Sequence, residues 1–600
     1  MTAFAGVFSS RGPVPAAVRE SLARHISRHP QEDVREDSHD RLHVVSFDAG
    51  LWRADGVHRD ADGTFTIVAG DPVLHATGAS RTDDVARLHA ELRGKRNDAL
   101  AGARGAFALV HYAPDRHELR LATDRGGIRP VYVCERDGLV FFATALRVLE
   151  SIEALPLTVD LRGLANRLTF RTYLGTRTPY VGVTRLQAAE TCRIDDSGTV
   201  YERFFDWTAI PESDAPLDVL AETAHSLFFD AVASRVRADS SAVSLLSGGL
   251  DSRFIVAELR RLEADVRTLN FSPVGTLDQV LSARFAEAAG TTHGEYPLPE
   301  GATAGDLSDW ISSVRPRTGI EEDPCIARPG VVWHGFDGSF SIGYVHMPET
   351  QVRLLREDRV ADAIAEDYRV RSLTGWANGF RREFRETIAD GPRAAYAAAL
   401  AQYSFPDPAR SRYAVHLLEE IRGMLDGLHE NIDVRRVEYL MPFADADLLA
   451  HMFTVPVDAC VEHAFYMRMF AHAPAFARKT PWQAYPGHTP CPLPQPDLND
   501  QWTGSGRDQQ NRRRWGLDKI RAIRRDPFPL ALMRRRTLAM AGLRHRLGRG
   551  DFNYAFDRIA LVQACLAAAG GRYADAEAPA RLLPAAHEKA PPHGHAEALL

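Results

Sequence analysis

The chain has 600 residues, a formal net charge of −7 and 45% hydrophobic residues, which excludes a fibrous or mainly disordered protein. No apolar run reaches the ~18–20 residues needed to cross a bilayer. The six cysteines contain no CxxC pair, so they fit neither a disulfide framework nor a cysteine zinc site. With no signal pattern at the N-terminus, these features predict a cytoplasmic, multidomain protein.

Residues 1–205 are predicted to form an α+β domain of short strands packed against helices. Helical patterns cover 14–29 and 83–92, and a Pro/Asp/Ser-rich linker follows at 206–216. Apolar or alternating runs bounded by Asp/Gly/Arg turns predict strands at 42–47, 64–68, 106–112, 118–122 and 139–143.

From residue 217 the pattern changes to alternating helices and strands, which predicts a parallel, doubly wound sheet within 217–500. The helices are predicted at 217–236, 252–263 and 278–289, and the strands at 242–246 and 266–271. Residues 501–575 are predicted as a basic helical extension, and the Ala/Pro/His-rich 576–600 as a disordered tail.

The segment Leu246-Ser-Gly-Gly-Leu-Asp-Ser-Arg253 lies between a predicted strand and a predicted helix. Its two glycines let the backbone approach a phosphate, and the helix N-terminus supplies N–H donors. Asp251 would repel a phosphate unless a divalent cation lies between them, so the pattern predicts a magnesium pyrophosphate site. No lysine follows the glycines, which excludes a Walker loop. The alternative is a tight turn with a serine cap.

Several segments, in order and spacing, resemble those of the asparagine-synthetase-like branch of the AMP-forming ATP pyrophosphatases. The nucleotide-side segments are 247–252, 268–272 with Asp278, 438–445 (Glu-Tyr-Leu-Met-Pro-Phe-Ala-Asp) and 476–480 (Phe-Ala-Arg-Lys-Thr). In the N-terminal half, 105–108 and 122–132 resemble the closing strands of the family's glutaminase domain. The resemblance covers residues 1 to about 485.

The resemblance implies an Ntn-hydrolase-like sandwich over 1–205 and an ATP-pyrophosphatase (adenine nucleotide α-hydrolase-like) synthetase domain over 217–500. It implies ATP and Mg²⁺ as cofactors, adenylation of a carboxylate, and attack by an amine to give an amide. The implied metal ligands are Asp251 and Asp337, and the implied catalytic residues are Lys479 and Glu438. The implied ATP and pyrophosphate contacts are Leu246, Ser247, Gly248, Gly249, Leu250, Asp251, Ser252, Phe271, Ser272 and Gly335.

Three departures from the family pattern bear on function. Thr2 stands where the family has its N-terminal cysteine nucleophile, which predicts lost glutaminase activity, although a threonine can act as a nucleophile on such a fold. In the segment 335–344, Ser339 replaces the metal-side aspartate and Phe336 the base-side glutamate. Asp337 is the one carboxylate in that segment. Leu440 replaces a family arginine.

Two charged residues have both a functional and a structural interpretation. Lys479 would stabilise charge at the α-phosphate and the developing oxyanion, or it is an exposed surface lysine. Glu438 would act as the general base, or it forms a buried ion pair with Arg435 or Arg436. The segments around 313–350 and 481–500 are expected to carry substrate identity, and the second either closes over the substrate or is a packed loop.

Residues 507–550 hold thirteen arginines and one lysine against three aspartates, a local charge of +11. The open interpretations are a solvated face, an acidic precursor peptide, the protein's own acidic body and an anionic membrane surface. Nucleic acid remains a further option, although no recognised motif accompanies the charge.

The sequence therefore predicts an amide-forming ligase acting on a small-molecule or peptide substrate. Because related branches without glutaminase activity close β-lactam or lasso-peptide rings, the leading hypothesis is macrocyclisation of the lasso kind. The alternatives are an asparagine synthetase and a pseudoenzyme that serves as a binding scaffold. The oligomeric state is not predicted.

Overall fold

The computed structural model describes residues 2–29, 32–52, 54–74, 80–237, 241–297, 331–343, 347–367, 370, 377–484, 488–499, 506–526, 532–549, 552–574 and 581–582. Within these ranges no helix is long and apolar enough to cross a bilayer. The five cysteines in the described part of the chain are free thiols, and Cys325 lies outside it.

The N-terminal domain contains two six-stranded sheets, and every pair of neighbouring strands in them is antiparallel. The first sheet has the strand order β11-β8-β9-β1-β3-β2, and the second has the order β13-β12-β7-β6-β5-β4. The strands are β1 Ala3–Ser9, β2 Val34–Ser38, β3 Leu42–Phe47, β4 Val57–Arg59, β5 Phe65–Gly70, β6 Phe107–Ala113, β7 Glu118–Thr123, β8 Tyr132–Arg136, β9 Leu139–Ala143, β11 Val183–Arg185, β12 Glu190–Asp195 and β13 Gly198–Arg203. A further short strand, β10 Val159–Asp160, belongs to neither of these sheets.

The two sheets enclose a core of large apolar side chains, such as Phe8, Phe65 and Phe142. Helices cover the outer faces of both sheets, because successive strand residues point to opposite faces and both faces are apolar. The helices are α1 Ala16–His25, α2 Arg81–Arg93, α3 Asp98–Gly102, α4 Leu146–Glu150 and α5 Leu161–Phe170. This four-layer arrangement agrees with the predicted α+β sandwich.

The second domain is built on a five-stranded sheet, order β16-β15-β14-β17-β18, in which every pair is parallel. The strands are β14 Ser241–Leu245, β15 Asp265–Asn270, β16 Thr292–Glu295, β17 Val331–Trp333 and β18 Glu438–Leu440. Its first helices, α6 Leu217–Val236, α7 Leu250–Arg261 and α8 Leu277–Ala289, lie within two residues of the predicted bounds.

The rest of the second domain is helical, and most of its helices pack into one large core with α6, α7 and α8. The helices are α9 Gly338–Ser341, α10 Glu349–Arg356, α11 Val360–Glu366, α12 Arg382–Gln402, α13 Pro408–Val415, a π-helix His416–Ile421, α14 Arg422–Glu430, α15 Ile432–Arg435, α16 Ala446–Met452, α17 Val457–Cys460, α18 Ala464–Phe470 and α19 Ala475–Lys479. Short 3₁₀ turns lie at Pro114–Arg116, Trp207–Ala209, Pro442–Ala444 and Val461–His463.

The predicted linker, 206–216, is packed rather than loose. Trp207 is buried, and its indole N–H donates to the carbonyl of Arg125 at 2.9 Å. The Trp207 ring also contacts Phe453, with the ring centroids 5.3 Å apart. The segment therefore joins the core of the second domain to the N-terminal domain.

The C-terminal extension folds back onto the N-terminal domain. It contains α20 Gly506–Arg525, α21 Arg535–Arg546, α22 Asn553–Ala568, β19 Arg572–Ala574 and β20 Arg581–Leu582. Ile520 and Leu538 are buried in the same core as Val7 and Leu164, and β19 pairs in parallel with β10. The tail from residue 576 was expected to be disordered, but Arg581–Leu582 forms a strand against β19. The rest of that tail lies outside the described residues.

Candidate active site

The predicted pyrophosphate loop joins the carboxyl end of β14 to α7, as a phosphate-binding strand-to-helix turn requires. Gly248 must be glycine, because a Cβ there would lie 2.8 Å from the Cα of Asp278 at the start of α8. The Ser252 hydroxyl oxygen accepts a 3.0 Å hydrogen bond from the amide of Ser247. The Ser247 hydroxyl oxygen in turn accepts from the amide of Gly249 at 3.2 Å. The loop is therefore preformed.

The predicted adenosine-side residues, Phe271 and Ser272, follow the carboxyl end of the adjacent strand β15. Asn270 ties this second loop to the first, because its side-chain amide donates to the carbonyl of Leu246 at 2.8 Å. The side-chain oxygen of Asn270, Oδ1, accepts from the backbone amide of Ser272 at 2.9 Å. The two loops thus lie side by side at the carboxyl edge of a parallel sheet, where ligands bind in open α/β sheets.

The altered segment that begins at Gly335 packs directly on the pyrophosphate loop. A Cβ on Gly335 would lie 2.6 Å from the amide nitrogen of Ser252, and one on Gly338 would lie 2.7 Å from a carboxylate oxygen of Asp251. Ser339 holds Asp251 with two hydrogen bonds, from its hydroxyl to Oδ1 at 2.9 Å and from its amide to Oδ2 at 3.1 Å. The serine that replaces the family aspartate therefore positions the remaining carboxylate.

Asp337 lies close to Asp251 and is 2% exposed. Burial raises the pKa of the Asp337 carboxyl well above its usual value, and the neighbouring charge of Asp251 adds to this shift. Burial also raises the pKa of Asp251. The Ser341 hydroxyl donates to Asp337 Oδ2, while Oδ1 is buried with no hydrogen-bond partner among the described residues.

These two carboxylates fit a divalent cation. Two buried like charges destabilise each other, and a cation between them would offset both the repulsion and the desolvation. Mg²⁺ commonly takes one or two protein carboxylates and fills its other positions with water and phosphate oxygens. The orphaned Oδ1 of Asp337 is the oxygen that such an ion would satisfy.

Lys479 is exposed and is the last residue of α19. Arg253 of α7 holds its segment, because this buried guanidinium donates to the carbonyls of Thr480, Pro481 (2.7 Å) and Ala477 (3.3 Å). The amide of Gln483 donates to the carbonyl of Gly248 at 2.8 Å. The structure therefore brings the lysine segment against the pyrophosphate loop.

The segment after Lys479 runs along the border of the nucleotide loops and is packed. Trp482 is buried against Phe470, with ring centroids 5.7 Å apart. At the far end, the carbonyl of Asn499 accepts from the amide of Leu277 at 2.8 Å. The other predicted substrate segment, 313–350, is described only at 331–343 and 347–350.

Glu438 lies at the domain interface, in a two-pronged ion pair with Arg129 of the N-terminal domain. Both N···O distances are 3.0 Å, and both side chains are buried. In the parallel sheet Leu440 is level with Trp333, so Glu438 lies two residues, about 7 Å, toward the amino end, away from the nucleotide loops.

The ion pair that was expected with Arg435 or Arg436 forms instead with Arg129. Arg436 pairs with Glu32 at 2.7 Å, and the side chain of Arg435 lies outside the description. Because Arg129 occupies both oxygens of Glu438, this placement favours the structural interpretation of Glu438 over amine activation.

Glu438 belongs to a row of carboxylates that face arginines of the N-terminal domain. Asp445, which caps the N-terminus of α16, also pairs with Arg104. The pairs, each with the arginine first, are Arg28–Asp433, Arg104–Asp445, Arg125–Asp447, Arg129–Glu438, Arg147–Asp433 and Arg185–Asp426. Six arginines of the N-terminal domain thus contribute to the contact between the two domains.

Thr2 is fully buried at the start of β1. Its hydroxyl oxygen accepts from the amide of Ala49 at 2.9 Å, and its carbonyl accepts from Arg129 at 2.5 Å. The same arginine therefore contacts both the predicted nucleophile position and Glu438.

Sequence reasoning missed Arg253, Arg129 and Asn270 as residues that organise the site. An arginine carries little signal in a chain with 72 lysines and arginines. Asn270 lies inside the segment 268–272 that resembles the family, so this motif could have identified it as a site residue.

Two family models match this chain. A glutamine amidotransferase domain model matches residues 75–205, and an asparagine synthase model matches residues 223–325. In these two regions the chain is similar to the asparagine synthetase-like family. The family match confirms the resemblance noted in the sequence, and it leaves the branch within the family open.

Two relatives of this family are glutamine-hydrolyzing asparagine synthetases of Bacillus subtilis (strain 168). Synthetase 1 is 24% identical over 187 residues, which are 31% of this chain and 29% of the relative. Synthetase 3 is 26% identical over 235 residues, 36% of this chain and 37% of the relative. The chain thus spans about a third of the length of these relatives.

Among solved structures, the glutamine phosphoribosylpyrophosphate amidotransferase of B. subtilis, complexed with ADP and GMP, is 12% identical. The alignment covers 52% of this chain and 92% of that one, with a TM-score of 0.23.

Proposed function

We propose that this chain is an ATP-dependent, AMP-forming carbon–nitrogen ligase whose second domain has the ATP-pyrophosphatase fold. The observation that carries the proposal is the closure of the segment starting at Gly335 over Asp251. Two glycines without room for a Cβ and two hydrogen bonds from Ser339 fix a carboxylate at the pyrophosphate loop. A carboxylate beside a phosphate site would repel the phosphate unless a divalent cation lay between them, so its presence supports a metal-bound nucleotide.

The roles of the chain's own residues follow from their positions. Residues 246–252 would bind the pyrophosphate, Phe271 and Ser272 the adenosine side, and Gly335 would support the loop. Asp251 and Asp337 would hold Mg²⁺, which when bound neutralises charge on the phosphate oxygens. Lys479 would stabilise the negative charge that forms as the substrate carboxylate is adenylated and attacked.

We place the amine on the substrate rather than on glutamine. The position has no cysteine, and Thr2 is fully buried with its hydroxyl oxygen accepting from the amide of Ala49, so it offers no exposed nucleophile for glutamine hydrolysis. A substrate that carries both carboxylate and amine is cyclised, which supports natural-product or peptide macrocyclisation of the lasso kind, with a precursor peptide as the partner. Free cysteine thiols support a cytoplasmic location.

An asparagine synthetase is the second candidate, and it is favoured by the names of the relatives. A pseudoenzyme scaffold is the third, because Ser339 and Phe336 replace two family carboxylates. The first two candidates require Mg²⁺-dependent ATP binding, whereas the third does not.

The experiment is calorimetric titration of ATP with Mg²⁺ into the full chain and into Asp251→Asn. We expect binding by the wild type and a loss of at least about tenfold in the variant, because a lost metal ligand should cost no less than a lost outer-shell partner. Asparagine keeps the shape of the side chain. The control is Asp458→Asn, an exposed aspartate of the same domain, which should bind like the wild type. Equal binding by Asp251→Asn would contradict the proposed metal site, and absence of binding by all three proteins would favour the scaffold.

The same preparations distinguish the amine sources. Incubation with ATP, Mg²⁺ and L-aspartate is expected to yield no glutamate from added glutamine. Glutamate release that disappears in Thr2→Ala would favour the asparagine synthetase candidate and overturn the assignment of a substrate-borne amine.

A further inference from the structure

Helix α21 of the C-terminal extension has apolar residues on two faces, and only one of these faces packs against the rest of the described chain. Leu538, Ala541 and His545 are buried on its inner face, against the core of the N-terminal domain. On the opposite face, Met540 is 57%, Leu543 49% and Leu547 57% exposed. The outer stripe is therefore not needed to attach the helix.

Arginines flank this outer stripe. At 3.6 residues per turn, Arg536, Met540, Leu543, Arg544 and Leu547 fall within an arc of about 100°. Eleven arginine side chains between residues 513 and 549 are exposed, on α20, α21 and the turns beside them. Arg521 pairs with Asp518, an acidic neighbour within this segment.

We infer that α21 is a docking surface for an anionic lipid bilayer. A helix that lies in the interface of a membrane combines a strip of apolar side chains with arginines or lysines beside it, and each part contributes to binding. The strip inserts among the acyl chains, while the arginines pair with lipid phosphates. The cytoplasmic leaflet carries negative charge, which complements the +11 of this segment.

The surface chemistry distinguishes a bilayer from the other polyanions. Nucleic acid is held by arginines on phosphates and makes no use of three exposed aliphatic side chains at the centre of the patch. An acidic peptide would be bound through the same arginines and would likewise leave Met540, Leu543 and Leu547 in water. Of these three anionic partners, a membrane is the one whose interior accommodates the exposed apolar stripe.

The test is sedimentation of the full chain with vesicles of phosphatidylcholine alone and of phosphatidylcholine mixed with phosphatidylglycerol. We expect binding to the mixed vesicles, weakened by added salt, and little binding to phosphatidylcholine. Arg536→Gln with Arg544→Gln should weaken binding roughly 30-fold, from the usual contribution of two arginines near an anionic surface. Leu543→Gln with Leu547→Gln should weaken it at least about tenfold.

Matched controls carry the same changes elsewhere on the surface. Val219→Gln, at an exposed position of α6, and Arg353→Gln with Arg359→Gln, on α10 and beside α11, should bind vesicles like the wild type. All changed side chains are exposed, so far-ultraviolet circular dichroism should be unaltered.

Three outcomes would overturn the inference. Binding to a DNA duplex or transfer RNA that depends on the arginines but not on Leu543 and Leu547, without vesicle binding, would assign the surface to nucleic acid. Equal binding to both kinds of vesicle, or binding to neither, would also reject it. None of these results bears on ATP binding, which is measured separately at Asp251.

Discussion

Replacing Arg129 with methionine is expected to lower the free energy of unfolding by about 3–5 kcal/mol, since it leaves a buried carboxylate without its partner. Arg129 and Glu438 are 3% and 4% exposed, and the guanidinium contacts both oxygens of Glu438 at 3.0 Å. The same side chain also donates to the carbonyl of Thr2. Its loss therefore leaves two buried acceptor groups at the domain interface, the Glu438 carboxylate and the Thr2 carbonyl, without this donor.

Urea denaturation of the full chain measures the free energy of unfolding. A double variant shows whether the loss comes from the unpaired Glu438 carboxylate. Arg129→Met with Glu438→Leu replaces the ion pair by apolar side chains and should recover most of the loss, as replacement of buried ion pairs often does. The matched control is Arg353→Met, which removes an exposed pair with Glu357 and should cost no more than about 1 kcal/mol. A single Arg129 variant as stable as this control would contradict the role assigned to the pair.

The double variant also tests the assignment of Glu438 to the interface. If Glu438 holds the domains together and takes no part in chemistry, the refolded pair variant should keep Mg²⁺-dependent ATP binding and turnover. Loss of turnover with intact ATP binding would return Glu438 to the role of general base.

The elements of the fold were largely predictable because their patterns are local. Strands β3 and β9 coincide with the predicted ranges 42–47 and 139–143, since continuous apolar runs between turn residues leave little choice of boundary. Turn glycines mark the ends: Gly63 and Gly138 adopt positive φ values of 86° and 79°. Such signals need no knowledge of distant residues.

The placement of the C-terminal extension was not predictable from the same patterns. Ile520 and Ile523 are isolated apolar residues among arginines, and they indicate which face of α20 is buried but not what covers it. They lie in the same core as Leu164 and Leu168 of α5, more than 350 residues earlier in the chain. Amphipathic periodicity carries no information about a partner so remote.

In the candidate site, too, the local segments were predictable from the sequence and the contacts between distant residues were not. The loop 246–252 and the segment from Gly335 were found from residues within each segment, and the structure brings them into contact. The contacts between distant segments were not predicted. The hydrogen bond from Ser339 to Asp251 and the ion pair of Glu438 with Arg129 both join residues far apart in sequence. Serine at position 339 looked like a lost ligand, and the structure shows it as a support for the remaining one.

Lys479→Ala is expected to reduce AMP formation by about 10²–10³-fold while leaving Mg²⁺-dependent ATP affinity within about threefold. A fixed cation aimed at charge that develops in the transition state contributes on this scale, comparable to one oxyanion-hole donor. The backbone of the lysine segment is held by Arg253 and by the Gln483–Gly248 hydrogen bond, neither of which involves the lysine side chain. Removing that exposed side chain therefore changes the charge without moving the loop.

AMP release is measured with L-aspartate and ammonium, and in parallel with a peptide that carries a free N-terminus and an acidic side chain. Lys95→Ala, another exposed lysine, is the matched control and should match the wild type. Lys479→Arg should retain part of the activity, because the charge is kept but its position is altered. A Lys479→Ala protein that forms AMP as fast as the Lys95 control would show that the segment tied to Arg253 serves packing, and would leave the transition-state charge to be stabilised by the loop and its cation.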